Sequence, residues 1–211
     1  MGRLVLIRHG QAKGNSEHRF IGQTDVPLTD LGRRQAQAVG HRLRTAEIRR
    51  IVSSDLVRST DTAAAIAAAT GCTVEIEPAV REIDNGEWAC LMPQEIAEGW
   101  PDMWSRYRGG EDVARPGGER WADVRVRMLS AVERLLAEDG VTIVVSHSGP
   151  IIIAAHWAAR QIVDGNVFRG PLGAVQNTAL TVVDQGPKLT AFNDVGHIDP
   201  FAGFEVPDAP V

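Results

Sequence analysis

The sequence predicts an α/β fold, a three-layer sandwich in which a mostly parallel central sheet is flanked by helices. Two observations carry this. Short aliphatic runs alternate along the chain with longer stretches whose apolar residues recur at helical spacing. The first run, residues 4–7, has no polar residue alternating within it, which is the pattern of a strand buried on both faces. At 211 residues with 44% hydrophobic content, the chain can bury a sizeable core without metals or disulfides.

Residues 4–7 form the first strand. Thr29 is placed to cap a helix over residues 30–44. Ile51 and Val52 make a short second strand, followed by Ser53-Ser54-Asp55 and an alanine-rich helix over 56–69. Residues 73–76 read as a third strand near the sheet edge, because Glu75 and Glu77 alternate with apolar neighbours. Trp121, Val124, Met128, Val132 and Leu135 keep to one helical face, so the longest helix spans 119–138. A buried strand over 141–145 and a helix over 150–160 follow, and 179–183 and 189–192 are closing strands that need not be parallel to the rest. The chain divides into one domain over residues 1–198 and an extended tail over 199–211, which holds three prolines and no period. Within the domain, residues 85–120 break the rhythm with Pro93, Pro101, Pro116 and three of the five tryptophans, and are expected to pass over the sheet edge.

Composition narrows the function. A net charge of −5 argues against a nucleic-acid binder, although a few arginines could still be focused into one pocket. Cys72 and Cys90 have no partner motif, which speaks against a zinc site or a disulfide framework. The aliphatic run at the amino terminus is too short for a membrane span or a signal peptide, so a cytoplasmic protein without membrane contact is expected. Whether it forms a homodimer is left open.

Three strand ends carry unusual chemistry. The first leads into Arg8-His9-Gly10, the second into Ser53-Ser54-Asp55 with Arg58 one turn on, and the 141–145 strand into Ser146-His147-Ser148-Gly149. If these strands are neighbours, two histidines and two arginines meet at the carboxyl edge of one sheet, where open α/β sheets place ligands. Glu82 can reach the same edge. Gly10 is expected to let backbone N–H groups approach an anion. Two cations and two imidazoles together call for an anion between them, and guanidinium forks match phosphate oxygens. A neutral imidazole can attack phosphorus while a carboxyl group protonates the leaving oxygen. The arginines argue against a metal ion, and no cofactor is called for.

Taken together these residues resemble the histidine phosphatase superfamily, in the branch of cofactor-dependent phosphoglycerate mutases and their phosphatase relatives. The likeness runs in order through Leu6-Ile7-Arg8-His9-Gly10-Gln11 with Asn15, then Phe20-Ile21-Gly22-Gln23-Thr24-Asp25 to Thr29. It continues through Ser53-Ser54-Asp55 with Arg58, Arg81-Glu82-Ile83 with Gly86 and Trp88, and Ser146-His147. The resemblance implies that His9 becomes phosphohistidine, Arg8 and Arg58 clamp phosphate oxygens, and His147 stabilises charge on the transferring group. It further implies that Glu82 serves as proton donor and then as base toward water, and that Asn15, Gly22, Gln23 and Ser148 line the phosphate pocket. Ser148 stands where the family usually has glycine, and Asn85 and Ala89-Cys90 also depart from its pattern, on the substrate side.

The excursion over residues 85–120 is shorter than the one the resemblance associates with mutases, which leaves phosphohistidine open to water. A phosphatase acting on small phosphomonoesters is therefore the expected function. A cofactor-dependent phosphoglycerate mutase is the alternative, and a non-catalytic module that binds phospho-ligands is a second one. Trp88, Trp100, Trp104, Arg106 and Tyr107 either wall the substrate pocket or pack the excursion onto the sheet.

Overall fold

The computed structural model describes residues 1–198, with the side chains of Asn15 and Ser16 excepted; the tail over 199–211 lies outside the described residues. Six strands form one sheet: β1 (Gly2–Arg8), β2 (Ile48–Ser53), β3 (Val74–Ile76), β4 (Gly140–Ser146), β5 (Leu180–Asp184) and β6 (Lys188–Asp194). Their spatial order is β3-β2-β4-β1-β5-β6. The pairs β1–β4, β2–β4 and β2–β3 are parallel, and β5 runs antiparallel to both β1 and β6.

Strand alternation divides the core in two. Leu4 and Leu6 of β1, Val52 of β2 and Val144 of β4 face helices α6 (Trp121–Leu136) and α7 (Ser148–Ala158). Val5, Ile7, Ile51, Ile143 and Val145 face α2 (Asp30–Leu43) and α3 (Val57–Thr70). Successive strand residues point to opposite faces, so continuous aliphatic strands bury both faces only because helices cover both. The helix that follows β1 and the helix that follows β4 lie on opposite faces. The crevice between these adjacent strands is thus a topological switch point, the usual ligand position of an open α/β sheet.

The helix boundaries follow from local chemistry. Thr29 has extended backbone and accepts a hydrogen bond from the Gly32 N–H, the N-cap its position in the sequence promised. Leu56 has no capping side chain, and Asp25 from a distant loop substitutes by accepting from the Val57 N–H at 2.9 Å. A one-turn helix, α1 (Lys13–Ser16), follows the first strand end and was not expected from the sequence.

The excursion is more ordered than its prolines suggested. It folds as a 3-10 turn over Gly86–Trp88 and two short helices, α4 (Pro93–Gly99) and α5 (Pro101–Arg108), each with its proline at the first helical turn, where the missing N–H costs nothing. Phe20, Trp88, Ile96, Tyr107 and Val113 make a separate small core, with Trp100 and Trp104 packed against it. Trp88 is fully buried, and its ring meets Phe20 and Tyr107 edge-on. The tryptophans therefore pack the excursion and do not wall a pocket. Arg106 is exposed and paired with Glu111. Of the five residues named for a substrate wall, Tyr107 is the one that lines the central cavity.

Candidate active site

Register aligns the two histidine-bearing strand ends. Arg8 is the partner of Ser146 across β1 and β4, so His9 and His147 each follow the last residue of neighbouring strands. Their ring centroids lie 5.1 Å apart. Ser53 of β2 pairs with Val145, which brings Ser54 and the start of α3, with Arg58, to the same edge.

The His9 Nδ1–H donates to the Gly10 carbonyl, at 2.7 Å. That fixes the tautomer with a lone pair on Nε2, and Arg58 Nε donates to this nitrogen at 3.2 Å. Burial, reinforced by the charges of Arg58 and Arg8, holds the His9 imidazole well below its ordinary pKa. The ring is thus neutral, buried and nucleophilic at Nε2. A neutral imidazole accepts from the Arg58 guanidinium and so sits beside it without opposing charge.

Gly10 plays a different part from the one its position suggested. Its N–H donates to Thr62 Oγ1 at 3.0 Å, which commits it to the fold and leaves it unavailable to an anion. Glycine is needed because a Cβ there would lie 2.4 Å from the Gly32 carbonyl oxygen at the start of α2.

Arg58 donates to the carbonyls of Gly22 at 2.6 Å and Thr24 at 2.9 Å as well as to His9. Three of its five N–H groups are engaged in these bonds, and the side chain lines the cavity. Burial brings its pKa down to about 10, with the carboxylates of Glu82 and Asp25 opposing that fall. Arg8 donates to the Val175 carbonyl at 2.6 Å, its Nε is buried without a partner, and burial lowers its pKa to about 10 against the pull of Glu82. Both guanidiniums remain charged at neutral pH.

Glu82 accepts at Oε2 from the Gly149 N–H, in the first turn of α7, and at Oε1 from the Ile83 N–H. A carboxylate at a helix N-terminus meets free N–H groups and the positive end of the dipole. Its backbone is held too, since the Glu82 carbonyl accepts from Arg127 at 2.8 Å and from the Gln23 amide at 3.0 Å. Arg127 is braced in turn by Glu119 and by the carbonyls of Ala79 and Arg81.

A cavity of about 240 Å³ opens at this edge. Arg8, His9, Gly22, Arg58, Glu82 and Ser148 line it together with Phe20, Asn85, Tyr107, Arg115, Trp121 and Phe168. Gly22 has φ of 56°, in the left-handed region, and a Cβ there would press on Asn85 and the Ile83 carbonyl. Two residues named from the sequence stand behind the cavity wall. Gln23 spends its amide on the Glu82 carbonyl, and His147 is fully buried with Nε2 beside Ser54 Oγ at 2.9 Å and Ser59 Oγ at 3.3 Å. His147 Nδ1 is without a partner, and burial, then Arg58 and His9, keep this ring neutral as well. Asn15 falls in α1, and its side chain lies outside the described residues. Ser148 accepts the Val175 N–H at Oγ, at 3.4 Å, a bond that glycine could not make.

The sequence reading missed the segment before β5. Val175 takes Arg8, Asn177 Nδ2 donates to the His9 carbonyl at 2.9 Å, and the Thr178 N–H donates to the Arg8 carbonyl. The signal was present: polar Gln176-Asn177-Thr178 directly precede an aliphatic strand, and an antiparallel strand brings its start to the edge where β1 ends.

The two buried imidazoles set the pH dependence of stability. Unfolded, both return to an ordinary pKa near 6.5, so below that pH the unfolded chain binds more protons than the native one. Stability is therefore full above about pH 6.5 and declines as pH falls. His197, lowered by burial to about 4, acts in the same direction. The melting temperature of the free protein is expected to drop steadily between pH 6.5 and 4.5 in scanning calorimetry at constant ionic strength. A flat profile across that window would mean that the rings already carry protons in the native state.

Comparison with known proteins agrees with this geometry. The probable phosphoglycerate mutase GpmB of Proteus mirabilis is 38% identical over 224 aligned positions, which take in 98% of this chain and 99% of that one. The glucosyl-3-phosphoglycerate phosphatase of Mycolicibacterium vanbaalenii is 36% identical, over 73% of this chain and 68% of its own. Among solved structures, YhfR of Bacillus stearothermophilus superposes with a TM-score of 0.84 at 28% identity, covering 93% of this chain and 99% of that one. The mycobacterial glucosyl-3-phosphoglycerate phosphatase in complex with VO3 gives 0.81 at 31% identity, covering 92% and 99%. A family profile matches residues 4–195 from the first strand to the end of the last, and by that match the chain belongs to the histidine phosphatase superfamily, branch 1.

Proposed function

We propose that this enzyme is a phosphatase that hydrolyses small phosphomonoesters through a phosphohistidine at His9. The observation that carries the reading is the neutral His9 ring, its Nε2 lone pair directed by the Gly10 carbonyl and flanked by two buried guanidiniums in a cavity that also holds Glu82. The phosphoryl group passes from the ester oxygen to Nε2. Arg8 and Arg58 neutralise its equatorial oxygens, where the transition state carries most of its charge. The ring gains positive character as the N–P bond forms, and the Gly10 carbonyl, which accepts from Nδ1–H, stabilises it.

Glu82 takes up a proton as the anionic ester enters beside it and delivers that proton to the departing alkoxide as the ester P–O bond breaks. It then takes a proton from the water that attacks phosphorus, which releases inorganic phosphate and restores His9. His147 touches His9 from behind and keeps that face of the ring closed to solvent, a positioning role. Among the described residues no helix is long and apolar enough to cross a membrane.

Glu82→Gln separates acid catalysis from the rest. A carboxamide in that place has no proton to give, so kcat for alkyl phosphates such as glycerol 3-phosphate should fall about 10²- to 10⁴-fold, the usual worth of a general acid. Para-nitrophenyl phosphate, whose leaving group needs no proton, should lose far less in its phosphorylation step. Equal losses on both would remove Glu82 from the acid role. The same panel tests the overall reading: phosphate release supports it, whereas 2-phosphoglycerate formed from 3-phosphoglycerate without phosphate release would favour a mutase.

A further inference from the structure

Glu82 stands on an irregular stretch of chain. Residues 81–85 belong to neither a helix nor a strand, so no regular ladder satisfies their backbone. Side chains meet four consecutive carbonyls instead. Arg127 donates to those of Ala79 at 2.9 Å, Arg81 at 2.6 Å and Glu82 at 2.8 Å, while Ser146 Oγ donates to that of Val80 at 2.7 Å. Arg127 Nε and Nη2 also donate to the two carboxylate oxygens of Glu119, each at 2.9 Å. All five N–H groups of the guanidinium are thereby engaged. Glu119 in turn accepts the Asp84 N–H at 2.8 Å and gives its own N–H to the Asp84 carbonyl at 2.9 Å. The backbone on both sides of Glu82 is thus tied to one ion pair.

Neither Arg127 nor Glu119 lines the cavity. A guanidinium with every donor engaged and its charge paired has nothing left for the ester, so its influence on the chemistry has to pass through Glu82. The groups assigned to the phosphate are anchored elsewhere: Arg8 at Val175, His9 at Gly10, and Arg58 at Gly22 and Thr24.

We infer that Arg127, oriented by Glu119, is the positioning residue of the general acid: it holds the Glu82 carboxyl against the leaving oxygen and takes no part in phosphate binding. This deepens the phosphatase reading and rests on it. An acid on an irregular segment needs such a brace, because a displacement of about 1 Å at a reacting group can cost about 10²-fold in rate. Lysine cannot replace the arginine, since one ammonium on a flexible stem lacks the rigid fork that spans three carbonyls and a carboxylate.

The test compares kcat/KM for glycerol 3-phosphate and para-nitrophenyl phosphate. This constant reports the steps through release of the alcohol, and only the alkyl ester needs a proton there. Arg127→Lys is expected to lower the alkyl value about 10- to 100-fold and the aryl value less than about threefold. Glu119→Gln, which keeps an oxygen for the Asp84 N–H, should shift the ratio the same way by less, and decides the matter where the lysine variant does not fold. Added to Glu82→Gln, Arg127→Lys should cost the alkyl ester less than about a further threefold, because two changes acting through one group do not add. Equal losses on both esters, or earlier melting with the ratio intact, mark a residue that only braces the fold and overturn the inference. A full further loss on the Glu82→Gln background overturns it too.

Amide hydrogen exchange reads the positioning without turnover. The Ile83 N–H donates to Glu82 Oε1, and the Gly10 N–H donates to Thr62 on the far side of the site. Arg127→Lys, or Glu119→Gln in its place, should speed exchange at Ile83 at least about tenfold and leave Gly10 as in wild type. If no ester is hydrolysed, the phosphatase reading falls while this measurement still decides the role of Arg127. Unchanged exchange at Ile83, or equal acceleration at both amides, overturns it.

Discussion

His9→Ala should abolish turnover, lowering kcat at least about 10⁴-fold on every phosphomonoester, the scale on which removing a covalent nucleophile acts. The expectation comes from geometry. Nε2 of His9 belongs to a ring that lines the cavity beside Arg8 and Arg58, with its tautomer fixed by Gly10 and its protonation suppressed by burial. The second imidazole cannot stand in, because His147 is fully buried behind the cavity wall. Rapid acid-free quench with labelled substrate should trap one phosphoryl group per wild-type chain on His9, and none on His9→Ala. Residual hydrolysis above about one thousandth of wild type would point to direct attack by water and would remove the covalent intermediate. Because alanine leaves the strand ladder untouched, a folded, inactive protein is the expected product.

Arg58→Gln should lower kcat/KM about 10³- to 10⁴-fold. One preorganised donor in a transition-state clamp is worth about 10²- to 10³-fold, and the guanidinium charge lost with it adds to that. The substitution also releases the loop that Arg58 holds through the carbonyls of Gly22 and Thr24, so KM should rise along with the fall in kcat. Arg58→Lys keeps the charge and loses the fork, and a single ammonium cannot reach His9, Gly22 and Thr24 together. It should remain at least about 10²-fold below wild type. A lysine variant with full activity would show that charge alone suffices and that the three hydrogen bonds are incidental.

The parts of this molecule legible in the sequence are those whose signal is local. Aliphatic runs mark β1 and β4, the Thr29 cap marks α2, and the residues after each strand end mark the reactive edge. The alternation of Glu75 and Glu77 correctly put β3 at the sheet margin. What stayed hidden depends on contacts between distant segments. Asp25 caps a helix that begins beyond Leu56, Gln23 braces the Glu82 carbonyl, and Arg127 from α6 ties the same carbonyl to Glu119. None of these has a periodicity to reveal it. The excursion was half legible for a physical reason, since prolines that look like breakers sit at helix starts, and only contacts between distant segments decide that its tryptophans pack a small core and do not wall the pocket. Arg115 was equally invisible, because an arginine in a proline- and glycine-rich stretch reads as a surface cation until three rings close around it.

β4 lies between β1 and β2 in space but follows both in the chain. During synthesis the first half of the protein must therefore wait with two aliphatic strand edges unpaired, because the segment that joins them has not yet emerged. Folding of this kind is slow, since a long loop has to close before its contacts are formed, and open apolar edges invite pairing between chains. Yield in a fast expression host should thus be limited by aggregation of nascent chains more than by the stability of the finished fold. It also means that no shortened product ending before β4 can carry the chemistry, because His9 is aligned with its neighbours only once that inner strand has slid into place.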